Sequence, residues 1–312
     1  MATQADPLIH SPVRGIFLML SAITVFTLMS AFIKAAERIP AGEAMFFRAF
    51  MALPVIVAWL AWKGAFPGGI GTNDVRAHAV RGIVGSIAMG LGFAGLHYLP
   101  LPEVTAIRFV TPMILLVLAA LLLGERLRLI RISAVALGFV GVIIIVAPRL
   151  SAGLGSREAF GALLVLGSAT FAALAQVFVK GMAGKESTAA IVFWFSVTAT
   201  VLSLFTLPFG WVWPTAQEAA FLVGAGFIGG IGQILLTSSY RFAEAGVLAP
   251  FTYVSMLWSL LIGYVWFNEE PTWQMLLGAA LVIAAGVAIV LRERQLGSQK
   301  TARRKVQAKG LQ

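Results

Sequence analysis

The chain has 312 residues, of which 59% are hydrophobic and only 12% charged, with a mean hydropathy of +0.91. A soluble domain is nearer half apolar and a quarter charged, so these figures exclude one and indicate an integral membrane protein. The net charge of +10 does not signal a nucleic-acid partner, because residues 292–312 hold seven Lys/Arg against one Glu, and a basic segment directly after a span anchors topology at an anionic leaflet.

Residues 1–13 form a polar lead that contains Pro7 and Pro12. The apolar run Gly15–Ile33 is too long for a signal-peptide core and lacks a small-residue cleavage site, so it reads as a retained first helix. Nine further spans follow, at Glu43–Trp62, Ala79–Leu99, Val104–Leu123, Leu129–Ala147, Phe160–Lys180, Ala189–Trp211, Ala219–Tyr240, Gly246–Phe267 and Trp273–Leu291. Each approaches the roughly 20 residues that cross about 30 Å of hydrocarbon. The connections are short and punctuated by Pro, Gly or charge. With the N-terminus in the cytoplasm, the cytoplasmic segments hold 17 of the 23 Lys/Arg, and the external ones hold four: Lys34, Arg38, Arg149 and Arg157. That bias predicts a multi-pass protein of the inner membrane with both termini cytoplasmic.

The two halves repeat. Shifted by 146, Gly15–Phe47 matches Gly161–Phe193 at nine of 33 positions, among them Phe32/Phe178 and Lys34/Lys180. Later in each half the shift slips to about 143–145. Five spans per half is odd, so the second copy enters the membrane upside down, an architecture of secondary carriers whose site lies at the repeat interface. The expected fold is an all-α membrane protein of ten transmembrane helices in two inverted five-helix repeats. Its expected divisions are a lead at 1–13, a first repeat at 14–148, a linker at 149–158, a second repeat at 159–292 and a basic tail at 293–312.

Several motifs carry less than they promise. Gly90-Leu-Gly-Phe-Ala-Gly95 and Gly224-Ala-Gly-Phe-Ile-Gly229 fit the dinucleotide pattern, but neither follows a strand, and small residues inside spans serve close helix packing. His10, His78 and His97 lack metal-ligand spacing. The absence of cysteine excludes disulfides and Cys-based zinc or iron–sulfur centres. No catalytic cluster stands out, so neither an enzyme activity nor a cofactor or metal is expected.

Charges and helix breakers inside spans mark the candidate site. Glu43 and Arg48 enter the second span from outside, and Glu103 and Arg108 enter the fourth in the same way. Each Arg lies only about 7–8 Å deeper than its Glu at the helical rise of 1.5 Å per residue. Two readings stay open: the arginines bind substrate, or they pair with Glu43 and Glu103, which are themselves candidates for proton or ion-pair roles. At the 146 shift Arg48 meets Trp194, and the slipped register sets Arg108 against Phe251 to Tyr253. With Gln233 and Trp258 nearby, the candidate substrate residues are Arg48, Arg108, Trp194, Gln233, Tyr253 and Trp258. Such a set suits a solute with a carboxylate or phosphate-like end and a planar or apolar body. Pro112 and Pro250 interrupt the fourth helix of each half and are candidate gating points.

Glu43-Ala-Met-Phe-Phe-Arg48, Leu123-Gly-Glu-Arg-Leu127, and Gly138 and Gly141 in the fifth span are the stretches in which the chain resembles the drug/metabolite transporter superfamily. The likeness is to its ten-helix EamA-type branch and covers residues 14–292. It implies a bacterial inner-membrane carrier for a small metabolite such as an amino acid, riboflavin or S-adenosylmethionine. The second copy departs from the motif, reading Asn268-Glu-Glu-Pro271, so no role is carried over to Glu269 or Glu270. The expected function is secondary transport of a small polar or amphipathic metabolite by alternating access, with a small-molecule substrate and the bilayer as partners and a homodimer left open. The alternative is an integral membrane enzyme or a lipid-handling accessory protein.

Overall fold

A computed structural model describes residues 11–72, 74–123, 129–151, 156–182, 186–243 and 245–288. The basic tail, residues 124–127 of the Leu123–Leu127 motif and residues 152–155 of the 149–158 linker lie outside them. Among the described residues the chain is all-helical. Its helices are α1 (Pro12–Ala35), α2 (Ala41–Phe50), α3 (Ala52–Trp62), α4 (Val75–Leu96), α5 (Leu101–Arg108), α6 (Thr111–Leu123), α7 (Leu129–Ser151), α8 (Arg157–Met182), α9 (Thr188–Leu204), α10 (Ala216–Phe242), α11 (Ala245–Leu248), α12 (Val254–Phe267) and α13 (Trp273–Ala288). They make ten spans, because α2–α3, α5–α6 and α11–α12 are each a single crossing broken partway.

Hydrocarbon offers the backbone no partner, so an apolar crossing of this kind must close its own hydrogen bonds as a helix. The starts are set by polar caps. Asp74 accepts from Ala77 N at 2.9 Å, Ser187 accepts from Ala190 N at 3.0 Å, and Thr215 with Glu218 forms a capping box. Asn268, with φ of 52°, closes α12 in the left-handed conformation. The seventh span stops at Leu204 and not at Trp211. Beyond it a 3₁₀ turn at Leu207–Phe209 and the left-handed Gly210 (φ 97°) turn the chain into an end loop, so Trp211 belongs to that loop.

The breaks in the two fourth helices are built alike. In the first half α5 ends at Arg108 and α6 begins at Thr111, with Pro112 in its first turn. In the second half a 3₁₀ turn, Ala249–Tyr253, which contains Pro250, separates α11 from α12. Proline removes a backbone donor and orphans a carbonyl upstream. A hydroxyl three residues on takes up a carbonyl at each break: Thr111 donates to Arg108 O at 2.7 Å, and Ser255 donates to Thr252 O at 2.8 Å. Both residues of the second pair lie 144 positions beyond those of the first.

Packing follows the same symmetry. α1 lies chiefly against α10, and α4 against α8. The repeat turns α1 into α8 and α10 into α4, so each half lays its first helix on the third helix of the other. The two glycine sextets make this contact possible. A Cβ at Gly92 would meet Ser168 at 2.9 Å, and one at Gly229 would meet Met29 at 2.9 Å. The main core, including Met29, Ile33, Met45, Phe93, Ile107, Met113, Val165 and Leu222, runs through both halves.

Candidate functional site

Apart from Ser168 of α8, which donates to Ala88 O of α4 at 2.7 Å in mid-bundle, the polar contacts between the halves among the described residues gather at the two ends of the bundle. At the end holding loops 36–40, 97–100, 205–215 and 268–272, Lys34 Nζ of α1 pairs with Glu269 Oε1 at 2.9 Å. It also donates to Leu99 O at 2.8 Å and Leu96 O at 3.3 Å. The other carboxylate oxygen, Oε2 of Glu269, accepts from Leu101 N at 2.9 Å. One buried carboxylate therefore joins α1, the start of α5 and the end of α12. It fits because Gly263 has no side chain: a Cβ there would lie 2.8 Å from Glu269 Oε2 and 3.0 Å from Pro102.

Three further contacts fasten the same end. Glu43 accepts from Val212 N at 3.1 Å. Arg38 grips Glu218 with two bonds of 2.9 Å, and the pair is exposed on the arginine side. His97 sets its ring nitrogens 3.0 Å from Phe93 O and Ile39 O. At the opposite end His78 Nε2 and Glu186 Oε2 stand 3.2 Å apart, both buried. Nearby, Ser187 donates to Gly69 O at 2.8 Å and Trp194 donates to Ile70 O at 2.9 Å. Ser11 N reaches Phe242 O at 3.2 Å, beside Arg14, whose guanidinium lies 4.5 Å from the Phe242 ring centroid.

Between these ends lie the residues singled out by sequence. Arg48, in the last turn of α2, is 5% exposed and rests against bare backbone at Gly229. Arg108, at the end of α5, is exposed where the first half's fourth helix breaks. The structure pairs neither arginine with the carboxylate five residues before it. Glu43 is committed to Val212, and Glu103 is buried at the start of α5.

The aromatic candidates scatter. Tyr253 meets Phe109, the neighbour of Arg108, with ring centroids 5.0 Å apart and near-perpendicular planes. Trp194 is tied to Ile70 at the His78 end. Gln233 lines a small hollow with Ile56, Trp59, Val192 and Thr237, and Trp258 packs on Met19, Ile23 and Leu248. Pro112 is exposed, and Pro250 falls in the 3₁₀ turn. Sequence reasoning passed over Glu269, although its partner Lys34 had been flagged by the repeat match with Lys180. The missing signal was the fold of the loop that carries the carboxylate back to α1.

Comparison with known proteins fits this arrangement. A pseudopaline exporter of Pseudomonas aeruginosa is 26% identical over 279 residues, covering 88% of this chain and 95% of that protein. An S-adenosylmethionine uptake transporter of Rickettsia bellii is 28% identical over 266 residues, covering 84% and 88%. A riboflavin transporter of Rhizobium johnstonii is 28% identical over 271 residues, covering 78% and 88%. One solved crystal structure superposes with a TM-score of 0.65 over 92% of this chain and 99% of the other, at 18% identity, a likeness of fold. The model of the EamA-like transporter family matches twice, at residues 13–147 and 159–292, once for each inverted half. With two family matches on two symmetry-related halves, the chain belongs to the EamA-like transporter family and is a multi-pass membrane transporter.

Proposed function

We propose that this transporter is a secondary carrier of the bacterial inner membrane that moves a small polar or amphipathic metabolite by alternating access. The supporting observation is the pair of cross-half closures. The Lys34–Glu269 pair binds the halves at one end, and the contacts of His78, Ser187 and Trp194 bind them at the other. Releasing one set while keeping the other opens the interior of the bundle to one side at a time, which is what carriage requires.

In this reading the Lys34 end faces outward and both termini are cytoplasmic, the orientation favoured by the Lys/Arg distribution. Arg108 lies at the break of the first half's fourth helix, next to the Phe109–Tyr253 contact. An arginine fork binds a carboxylate or phosphate oxygen in two-pronged fashion, and the Phe109–Tyr253 pair offers an apolar face. The relatives' named solutes, S-adenosylmethionine and riboflavin among them, combine polar groups with a flat ring system of this kind. Purified protein in proteoliposomes decides the matter. Saturable uptake with counterflow and no chemical change in the solute is expected, and non-saturating flux without counterflow would mean a channel.

A further inference from the structure

Arg81 is the least expected charge in the fold. It lies in the second turn of α4, close to the His78 end, where a long cationic side chain ordinarily reaches out to the headgroups. Here it runs the other way. Its guanidinium carbon sits 3.9 Å from the centroid of Phe195, and Nη1 lies 3.3 Å from where a Cβ of Gly85 would stand, one turn further into the membrane. Its Nε and Nη1 are buried and have no hydrogen-bond partner. Arg48 is carried by α2, which packs against both α4 and α9, so two cations meet at one junction and repel each other. Arg48 is 5% exposed and likewise has no ion pair among the described residues.

The same two helices, α4 and α9, also bury unpaired hydroxyls. Ser196, next to Phe195, is 1% exposed, and its hydroxyl is unpaired. Other hydroxyls of α9 behave differently: Thr198 donates to Trp194 O and Thr200 to Ser196 O, both at 2.8 Å. Ser86 of α4 also buries an unpaired hydroxyl. A buried donor without an acceptor costs about 1–3 kcal/mol, and an unpaired buried ion costs more. Two guanidinium groups with no acceptor among the described residues are donors awaiting an anion.

We propose that Arg48 and Arg81 together form an anion subsite of the carrier, between α2, α4, α9 and α10, that takes a doubly negative group: one phosphate, or two carboxylates of one solute. The proposal rests on the carrier reading and narrows its substrate. A single carboxylate would leave one of the repelling cations uncompensated; a dianion turns the repulsion into attraction on both sides. The Phe195 ring then backs the Arg81 fork and keeps it flat.

The test uses the detergent-solubilised full chain and follows its thermal unfolding with inorganic phosphate, succinate, acetate or glucose added. Phosphate or succinate should raise the melting temperature of the parent, and acetate and glucose at equal concentration and ionic strength should not. A response to phosphate alone identifies the single-phosphate form, and a response to succinate alone the dicarboxylate form. Arg81→Gln should weaken dianion binding at least tenfold while raising the melting temperature of the ligand-free protein, because a repelling cation is gone. Arg81→Lys should keep part of the binding. Equal dianion shifts in parent and Arg81→Gln overturn the subsite, as does an Arg81→Gln protein that no longer folds, since the guanidinium would then be holding helices together. Saturable flux of a neutral solute without any dianion shift overturns the subsite and leaves the carrier standing. Dianion binding without flux in proteoliposomes does the reverse.

Discussion

Phe109 and Tyr253 stand 144 residues apart, occupy the same place in the two repeats, and meet edge to face with ring centroids 5.0 Å apart. In an inverted repeat a residue touches its own counterpart only near the pseudo-twofold axis. The contact therefore marks the axis, the place where the carrier reading puts the relative movement of the halves. The neighbouring positions are matched as well, with Val110 and Thr111 answered by Val254 and Ser255.

An aromatic pair of this kind contributes about 0.5–1.5 kcal/mol beyond its buried area. If it served packing alone, Phe109→Leu would lower stability by a similar amount and leave solute affinity as it was. The carrier reading expects more. Phe109→Leu and Tyr253→Leu should each raise the Kd of the transported solute at least fivefold, with a melting temperature within a few degrees of the parent. Isothermal titration beside thermal unfolding separates the two, and unchanged affinity in both variants removes the pair from the site.

Arg108 has the charge and the open surface expected of a binding group. Lysine there keeps the charge but loses the planar fork. Arg108→Lys should weaken solute binding at least tenfold, about 1.4 kcal/mol, and Arg108→Ala should weaken it further. Stability should barely change, because no partner is left unpaired. Parent-like binding in both variants would return Arg108 to a passive role.

The fold was legible because hydrocarbon permits so little. Ten apolar runs of the right length, a match across halves and an odd span count leave few alternatives to an inverted bundle. The glycine sextets were legible too, since a pattern without a preceding strand has only packing left to do. The site was harder. Arg48 and Arg108 stand out as charges within spans, but what lies opposite them depends on helix rotation, which an almost uniformly apolar span does not encode. Trp194 answers Arg48 by repeat arithmetic and Gln233 stands as a further candidate, yet the structure turns them to Ile70 and to the hollow beside Trp59. Glu269 was hidden because its loop departs from the motif of the first half, and Arg81 because a basic residue near a span end ordinarily marks topology.

Pro112 and Pro250 allow another test. Each sits at a break where a serine or threonine hydroxyl takes up a backbone carbonyl. Restoring the backbone donor by Pro112→Ala with Pro250→Ala should straighten both helices and stiffen the bundle. The expected result is a turnover rate at least fivefold lower in proteoliposomes, with solute affinity within twofold of the parent. Parent-like turnover would show that the breaks are static.

The closure at Lys34 and Glu269 allows the sharpest prediction. The pair is largely buried, at 13% and 12% side-chain exposure, and removing one partner of a buried pair costs about 3–5 kcal/mol because the other charge is stranded. That cost falls on the closed conformation alone, so the population should shift toward one open at this end. Glu269→Gln keeps the shape and still accepts from Leu101 N, but loses the charge facing Lys34. Gly263→Val leaves every charge in place and drives a side chain into the space shared by the carboxylate and Pro102. The two variants reach the same gate by different physics. Because the natural chain has no cysteine, Val104→Cys supplies a single reporter, 2% exposed and one turn beyond Leu101. A membrane-impermeant maleimide added outside intact cells should label it at least tenfold faster in both variants than in the otherwise unaltered chain. If Glu269→Gln alone speeds labelling, the gate is electrostatic and the glycine incidental. If neither does while labelling from the cytoplasmic side accelerates, this end faces inward and the orientation taken from the charge distribution is wrong.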